Sequence, residues 1–138
     1  MDRIMRILKI FIPFLILQSS VVKSAENTEY EILKKTSFFS LGMNGFAGKI
    51  SDGEMAYNAI LKKNNPKDIF INLAKDEKAT PEAKLYAACG LMKLSYREMD
   101  SLFLPYKKNK ITLLKGDILR SVSFYDEYTS ILKHGCEQ

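Results

Sequence analysis

The sequence has no tryptophan, one histidine, two cysteines and four prolines among 138 residues. Each scarcity removes a class of function. His134, Cys89 and Cys136 together fall short of the four close-set ligands that a structural zinc site needs, so no metal or cofactor is expected. No cysteine stands near the N-terminal leader, which excludes a lipid-modified cysteine anchor there. The longest uncharged stretch near the start runs from Ile10 to Val22 and carries Pro13, well short of the ~20 apolar residues of a membrane-spanning helix.

That stretch follows Arg3, Arg6 and Lys9, and the basic-then-apolar order is that of a secretory signal peptide. Val22 and Ser24 supply small residues before Ala25, so residues 1–24 are expected to be a signal peptide and residues 25–138 a single small helical domain. The destination is the periplasm or the exterior, with no stable membrane insertion after cleavage.

Charge then becomes nearly balanced. The whole chain has 21 basic and 16 acidic residues, and removal of Arg3, Arg6, Lys9, Lys23 and Asp2 leaves 17 against 15, a net +2. So even a balance gives no electrostatic footprint for nucleic acid. Lys107-Lys108-Asn109-Lys110 is the one basic cluster, and it reads as a solvated turn.

Gly42 to Ser51, GMNGFAGKIS, resembles a phosphate loop at first sight. Five residues separate Gly42 from Gly48 where the motif has four, and Ile50 occupies the place of the hydroxyl that reaches magnesium. Ser51-Asp52-Gly53-Glu54 explains the stretch better, as a capping box in which Ser51 accepts from the Glu54 N–H and the Glu54 carboxylate reaches back to the Ser51 N–H.

Periodicity places helices over Tyr30 to Leu41 and from about 52, 66, 81 and 97, the last ending at Pro105. Asn65-Pro66 and Thr80-Pro81 each put a capping side chain before a proline at the first helical position. Leu85, Ala88, Cys89, Met92 and Tyr96 form one stripe, and Gly90 in mid-helix suggests another backbone passing close. Ile111 to Leu114 and Ile118 to Tyr125, joined at Lys115-Gly116-Asp117, read as a small β-hairpin, and Asp126 caps a last helix stopped by Gly135. The fold class is mainly α: four to six helices in short antiparallel hairpins, at the scale of helical repeats, with a possible small β-hairpin near the C-terminus.

Two cysteines in an exported chain allow one intramolecular pairing, and Cys89 with Cys136 is the expected disulfide. Ala79 to Leu91, ATPEAKLYAACGL, with SDGE some thirty residues upstream, resembles a group of small exported bacterial proteins of unassigned activity. The similarity spans roughly Phe46 to Leu104 and rests on helix caps and a packed helix, so it implies fold and export alone. In that group a second cysteine commonly follows a glycine after the helices. Here Gly116-Asp117 stands at the nearer such place and Gly135-Cys136 farther on.

No catalytic residue is nominated. His134 lacks a nucleophile and an orienting acid at readable spacing, and Glu98 and Asp100 point to different sides of a helix. Tyr57, Tyr86, Tyr96 and Tyr106 would suit protein recognition if they lined a surface, but core packing is the simpler role. The leading expectation is an exported, non-enzymatic helical interaction module with another protein as partner. A small hydrolase around His134 and the Gly42 to Gly48 loop, or a structural envelope protein, are the alternatives.

Overall fold

The computed structural model describes residues 28–42, 44, 45 and 48–136. The expected signal peptide over residues 1–24 lies outside them. The described chain folds as α1 (Thr28–Lys34), α2 (Asp52–Leu61), α3 (Pro66–Lys75), α4 (Pro81–Lys93), α5 (Met99–Phe103), a 3₁₀ turn (Leu104–Tyr106), β1 (Lys110–Lys115), β2 (Ile118–Ser123) and α6 (Phe124–His134). The described residues are thus mainly α with one antiparallel hairpin, as the periodicity predicts. Among the described residues no helix is long and apolar enough to cross a membrane.

Local chemistry sets most of the helix starts. Ser51 accepts from the Glu54 N–H at 3.1 Å and Thr80 from the Ala83 N–H at 3.1 Å, each satisfying a donor that the first turn leaves open. Half of the expected capping box is redirected: the Glu54 carboxylate accepts from the Gly42 N–H at 2.9 Å, pinning the glycine-rich loop to α2. Asn65 precedes α3 without a side-chain capping bond, so Pro66 with its preset φ is the stronger signal there. Ser123, not Asp126, precedes α6, because Phe124 is fully buried as the first helical residue. Pro105 sits inside the 3₁₀ turn rather than ending a helix, its missing N–H being harmless in a first turn.

The largest departure from the periodicity is at Phe38 to Leu41. These residues are expected to continue α1, yet α1 ends at Lys34 and the chain runs beside β1 instead. The Phe39 N–H donates to the Thr112 carbonyl at 2.8 Å and the Leu114 N–H donates to the Phe39 carbonyl at 2.9 Å. Two backbone bonds to a distant strand, plus burial of the Phe39 ring against Tyr86 at 4.8 Å, outweigh a weak local preference for helix.

Helix α4 is the axis of the core. Every residue from Glu82 to Leu91 is buried, Glu82 and Lys84 included, so the expected single stripe is in fact a helix covered on every side; Met92 is half-buried and Tyr96 lies past its end. It touches α1, α2, α3, α5, α6 and β1. A solenoid repeat would touch only its neighbours, so the 15-residue spacing of helix starts reflects elements wrapped around one helix.

The polar groups on α4 are each engaged. The Tyr86 hydroxyl donates to the Ser40 carbonyl at 2.6 Å and accepts from the Ser40 N–H at 3.0 Å, tying the 36–41 segment to the core. The Glu82 carboxylate accepts from the Thr112 N–H at 3.0 Å, which joins α4 to β1. The Lys84 ammonium is buried and donates to the carbonyls of Leu73, Ala74 and Asp76 at 3.3, 2.9 and 2.7 Å, closing the C-terminal end of α3.

Gly90 faces a ring, not a backbone. A Cβ built there would lie 2.3 Å from Cε2 of the buried Phe70. Gly90→Ala is expected to destabilise by about 2 kcal/mol, the overpacking cost outweighing alanine's helix preference. Chemical denaturation of Gly90→Ala alone and with Phe70→Leu checks this: the second change should recover part of the loss, and additive costs would refute the clash.

Candidate functional site

Cys89 and Cys136 are joined by a disulfide with Cα atoms 5.7 Å apart, across 47 positions of sequence. Gly135 makes the bridge reachable. Its φ of +76° turns the chain out of α6 while its N–H donates to the Ile131 carbonyl at 2.8 Å, and Cys136 is delivered to α4. The nearer glycine, Gly116, serves the hairpin instead. With φ +62° it takes the first place of a two-residue turn closed by Lys115 and Ile118.

Hairpin, segment 36–41 and α6 enclose a cleft of about 270 Å³ that ends at Gly135 and Cys136. Phe39, Leu41, Leu113 and Ile131 supply apolar lining, with Leu41 and Leu113 the more exposed of the four. Lys115 and Arg120 form one rim, and Glu127, Ser130 and His134 the other. The last three recur at helical spacing with Ile131, so α6 presents them on one face. Burial pushes the Glu127 carboxyl above its ordinary value, against the opposing pull of Lys115 and then Arg120.

The structure therefore brings His134 to a cleft with Glu127 and Ser130, and no described residue from Gly42 to Gly48 lines it. None of the hydrogen bonds of a nucleophile, base and acid relay links these three side chains. The described N–H groups from Gly42 to Lys49 are occupied elsewhere. Gly42 donates to Glu54, Asn44 and Lys49 bond one another's carbonyls, Gly45 donates to Gly116 and Gly48 to Gly45. A phosphate loop needs such groups converging on a ligand.

A second surface lies on the hairpin's outer side. Because Lys115 and Ile118 close a two-residue turn, hydrogen-bonded pairs alternate from there, and Leu119 and Ser121 point their backbone groups away from β1. The equivalent edge of β1 is taken by Phe39 and Glu82, whereas no described residue bonds the outward groups of Leu119 and Ser121. Ile118 and Leu119 are 63% and 60% exposed at the tip.

Other sequence candidates resolve into structure. Tyr57 and Tyr86 are buried, and Tyr96 and Tyr106 half-buried against the core, so the four do not form an exposed face. Asp100 accepts from the Tyr128 hydroxyl at 2.7 Å, linking α5 to α6 rather than pairing with Glu98. Lys107, Lys108 and Lys110 are exposed, as a solvated turn should be. Glu127, Lys115 and Arg120 carry no signal in sequence as a group. The spacing Glu127, Ser130, Ile131, His134 is the one readable trace of the cleft. An amide-rich depression of about 440 Å³ lies apart, lined by Tyr30, Asn64, Asn65 and Asn72 among others, with Lys63 as the one charged side chain among the described residues that line it.

No protein-family model, curated protein or solved structure matches the chain.

Proposed function

We propose that the protein is an exported, non-enzymatic interaction module, and that its hairpin edge receives an extended, acidic segment of a partner protein. The unbonded edge of β2 carries this reading. Main-chain groups at Leu119 and Ser121 face outward beside an exposed apolar tip, the arrangement onto which a further strand adds.

Charge selects the partner. Residues 107–120 hold Lys107, Lys108, Lys110, Lys115 and Arg120 against Asp117 alone, a local net +4. The rest of residues 25–138 has 12 basic and 14 acidic residues, a net −2, so the hairpin concentrates the positive charge of an otherwise slightly acidic domain. Export is supported by the basic-then-apolar leader, by a disulfide suited to an oxidising compartment, and by the resemblance to small exported bacterial proteins.

A photo-reactive residue at position 119, expressed in the native host, should give one discrete cross-linked adduct whose partner peptide is rich in Asp and Glu. Ser121→Pro removes the outward N–H without breaking a bond of the hairpin and should abolish the adduct with circular dichroism unchanged. An adduct that survives this change, or none at all, overturns the edge as the interface. Mass spectrometry of the mature protein should find its N-terminus within a few residues of Ala25, and an intact Met1 in the cytosol would refute export.

A further inference from the structure

The cleft between the hairpin and α6 holds opposite charges that do not meet. Lys115 and Arg120 are close enough to act on the Glu127 carboxyl, yet no ion pair or hydrogen bond among the described residues joins either to it. Long flexible cations beside a half-buried carboxylate normally close onto it, because an unpaired charge at a partly dry site is costly. Here all three line one void, together with apolar side chains.

We propose that this cleft binds a small zwitterion of the α-amino acid type with an apolar side chain. Glu127 receives the ammonium, Lys115 and Arg120 the carboxylate, and the side chain rests on the half-buried Leu41 and Leu113. Each protein charge then gains the partner it lacks, and the exposed apolar part of the lining is covered by apolar ligand rather than water. A volume of about 270 Å³ is at the low end for ligand sites, which limits the occupant to a single residue or little more. The proposal shares Lys115 and Arg120 with the charge argument for the partner strand but uses none of the outward backbone groups of Leu119 and Ser121, so Ser121→Pro should leave L-leucine binding unchanged.

The same charges would be offered by a free amino acid, by a peptide C-terminus lacking the ammonium, or by a peptide N-terminus lacking the carboxylate. L-leucine, N-acetyl-L-leucine and L-leucinamide separate the three, followed by amide chemical shifts of the labelled protein. L-leucine is expected to bind with a dissociation constant below about 1 mM and to shift amides of Arg120, Glu127 and His134, and each capped compound to bind about tenfold more weakly. Arg120→Gln should weaken L-leucine about tenfold and leave L-leucinamide unchanged; Glu127→Gln should weaken L-leucine and leave N-acetyl-L-leucine unchanged. Both positions are at the surface or its margin, so neither change threatens the fold. Equal affinity for the three compounds, shifts confined elsewhere, or none at about 10 mM ligand would overturn the proposal. Preference for either capped form would assign the cleft to a peptide end instead.

Discussion

Lys84→Ala is expected to destabilise the protein by about 3 kcal/mol, and Lys84→Met by about 1 kcal/mol at neutral pH. The difference follows from what each change removes. The three carbonyls that Lys84 engages each retain another donor: the Leu73 carbonyl has the Asp76 N–H, the Ala74 carbonyl the Tyr106 hydroxyl, and the Asp76 carbonyl the Ala79 N–H. Loss of the ammonium therefore orphans none of them and also relieves its desolvation. Alanine in addition empties the space filled by the buried stem and uncovers the Tyr106 ring, over which the ammonium sits at 4.3 Å.

The same residue is expected to give the protein an alkaline rise in stability. Burial lowers the Lys84 ammonium from 10.5 to about 8, with Asp76 and Glu77 pulling the other way. Between those values the unfolded chain holds more protons than the folded one, so stability increases with pH across that window. The gain from pH 7 to 9.5 is on the order of 2 kcal/mol. Above pH 10 the direction reverses. Tyr30, Tyr86 and Tyr128 are all held above the ordinary tyrosine range by burial first, so there the unfolded chain releases protons that the folded chain keeps. Urea unfolding at several pH values checks both effects: wild type should show the rise and Lys84→Met should lose it. A flat wild-type profile, or Met costing as much as Ala, would show that the ammonium is not the governing group.

Paired replacement of Cys89→Ala and Cys136→Ser is expected to lower stability by about 2 to 4 kcal/mol, as is reduction of the bridge. The chain-entropy value for a loop of 47 positions is about 4 kcal/mol, the upper end of that range. Cys89→Ala alone should cost more than Cys136→Ser alone, because Cys89 is buried in the core whereas Cys136 is partly exposed. Helix α6 keeps its own hold through buried Phe124, Tyr128 and Ile131, so protease should first reach His134 to Cys136 rather than the whole helix. Those residues form the end wall of the cleft, so L-leucine binding should weaken together with the bridge. Limited proteolysis with and without reductant reads the order of opening, and cleavage first within α2 or α3 would contradict it. Two thiols labelled after denaturation without reductant would mean there is no bridge to remove.

Elements with a local cause were legible. Ser51 and Thr80 announce helices because a hydroxyl before an open N–H acts within four residues, and Gly116 announces the hairpin because its turn needs positive φ at that place. The pairing of Cys89 with Cys136 was legible by count, since a chain with two cysteines has one intramolecular choice.

What depends on distant neighbours was not. Phe39 lies in a helical pattern and becomes a strand-like neighbour of Leu113, because partners more than seventy positions away supply the hydrogen bonds. Gly90 signals a close approach, but only packing identifies the Phe70 ring as what approaches. The cleft is the extreme case. Lys115, Arg120, Glu127 and His134 look like ordinary solvated charges along the sequence, and they converge only when the hairpin folds against α6. Sequence by itself determined the Ser51 and Thr80 caps, the hairpin turn, the mainly α class and the cysteine pair, each resting on interactions within a few residues or on a choice of one. Tertiary structure alone decided which helix is the axis, which carbonyls Lys84 closes and which charges share a cleft, because burial and long-range pairing are properties of surfaces that exist only once the elements have met.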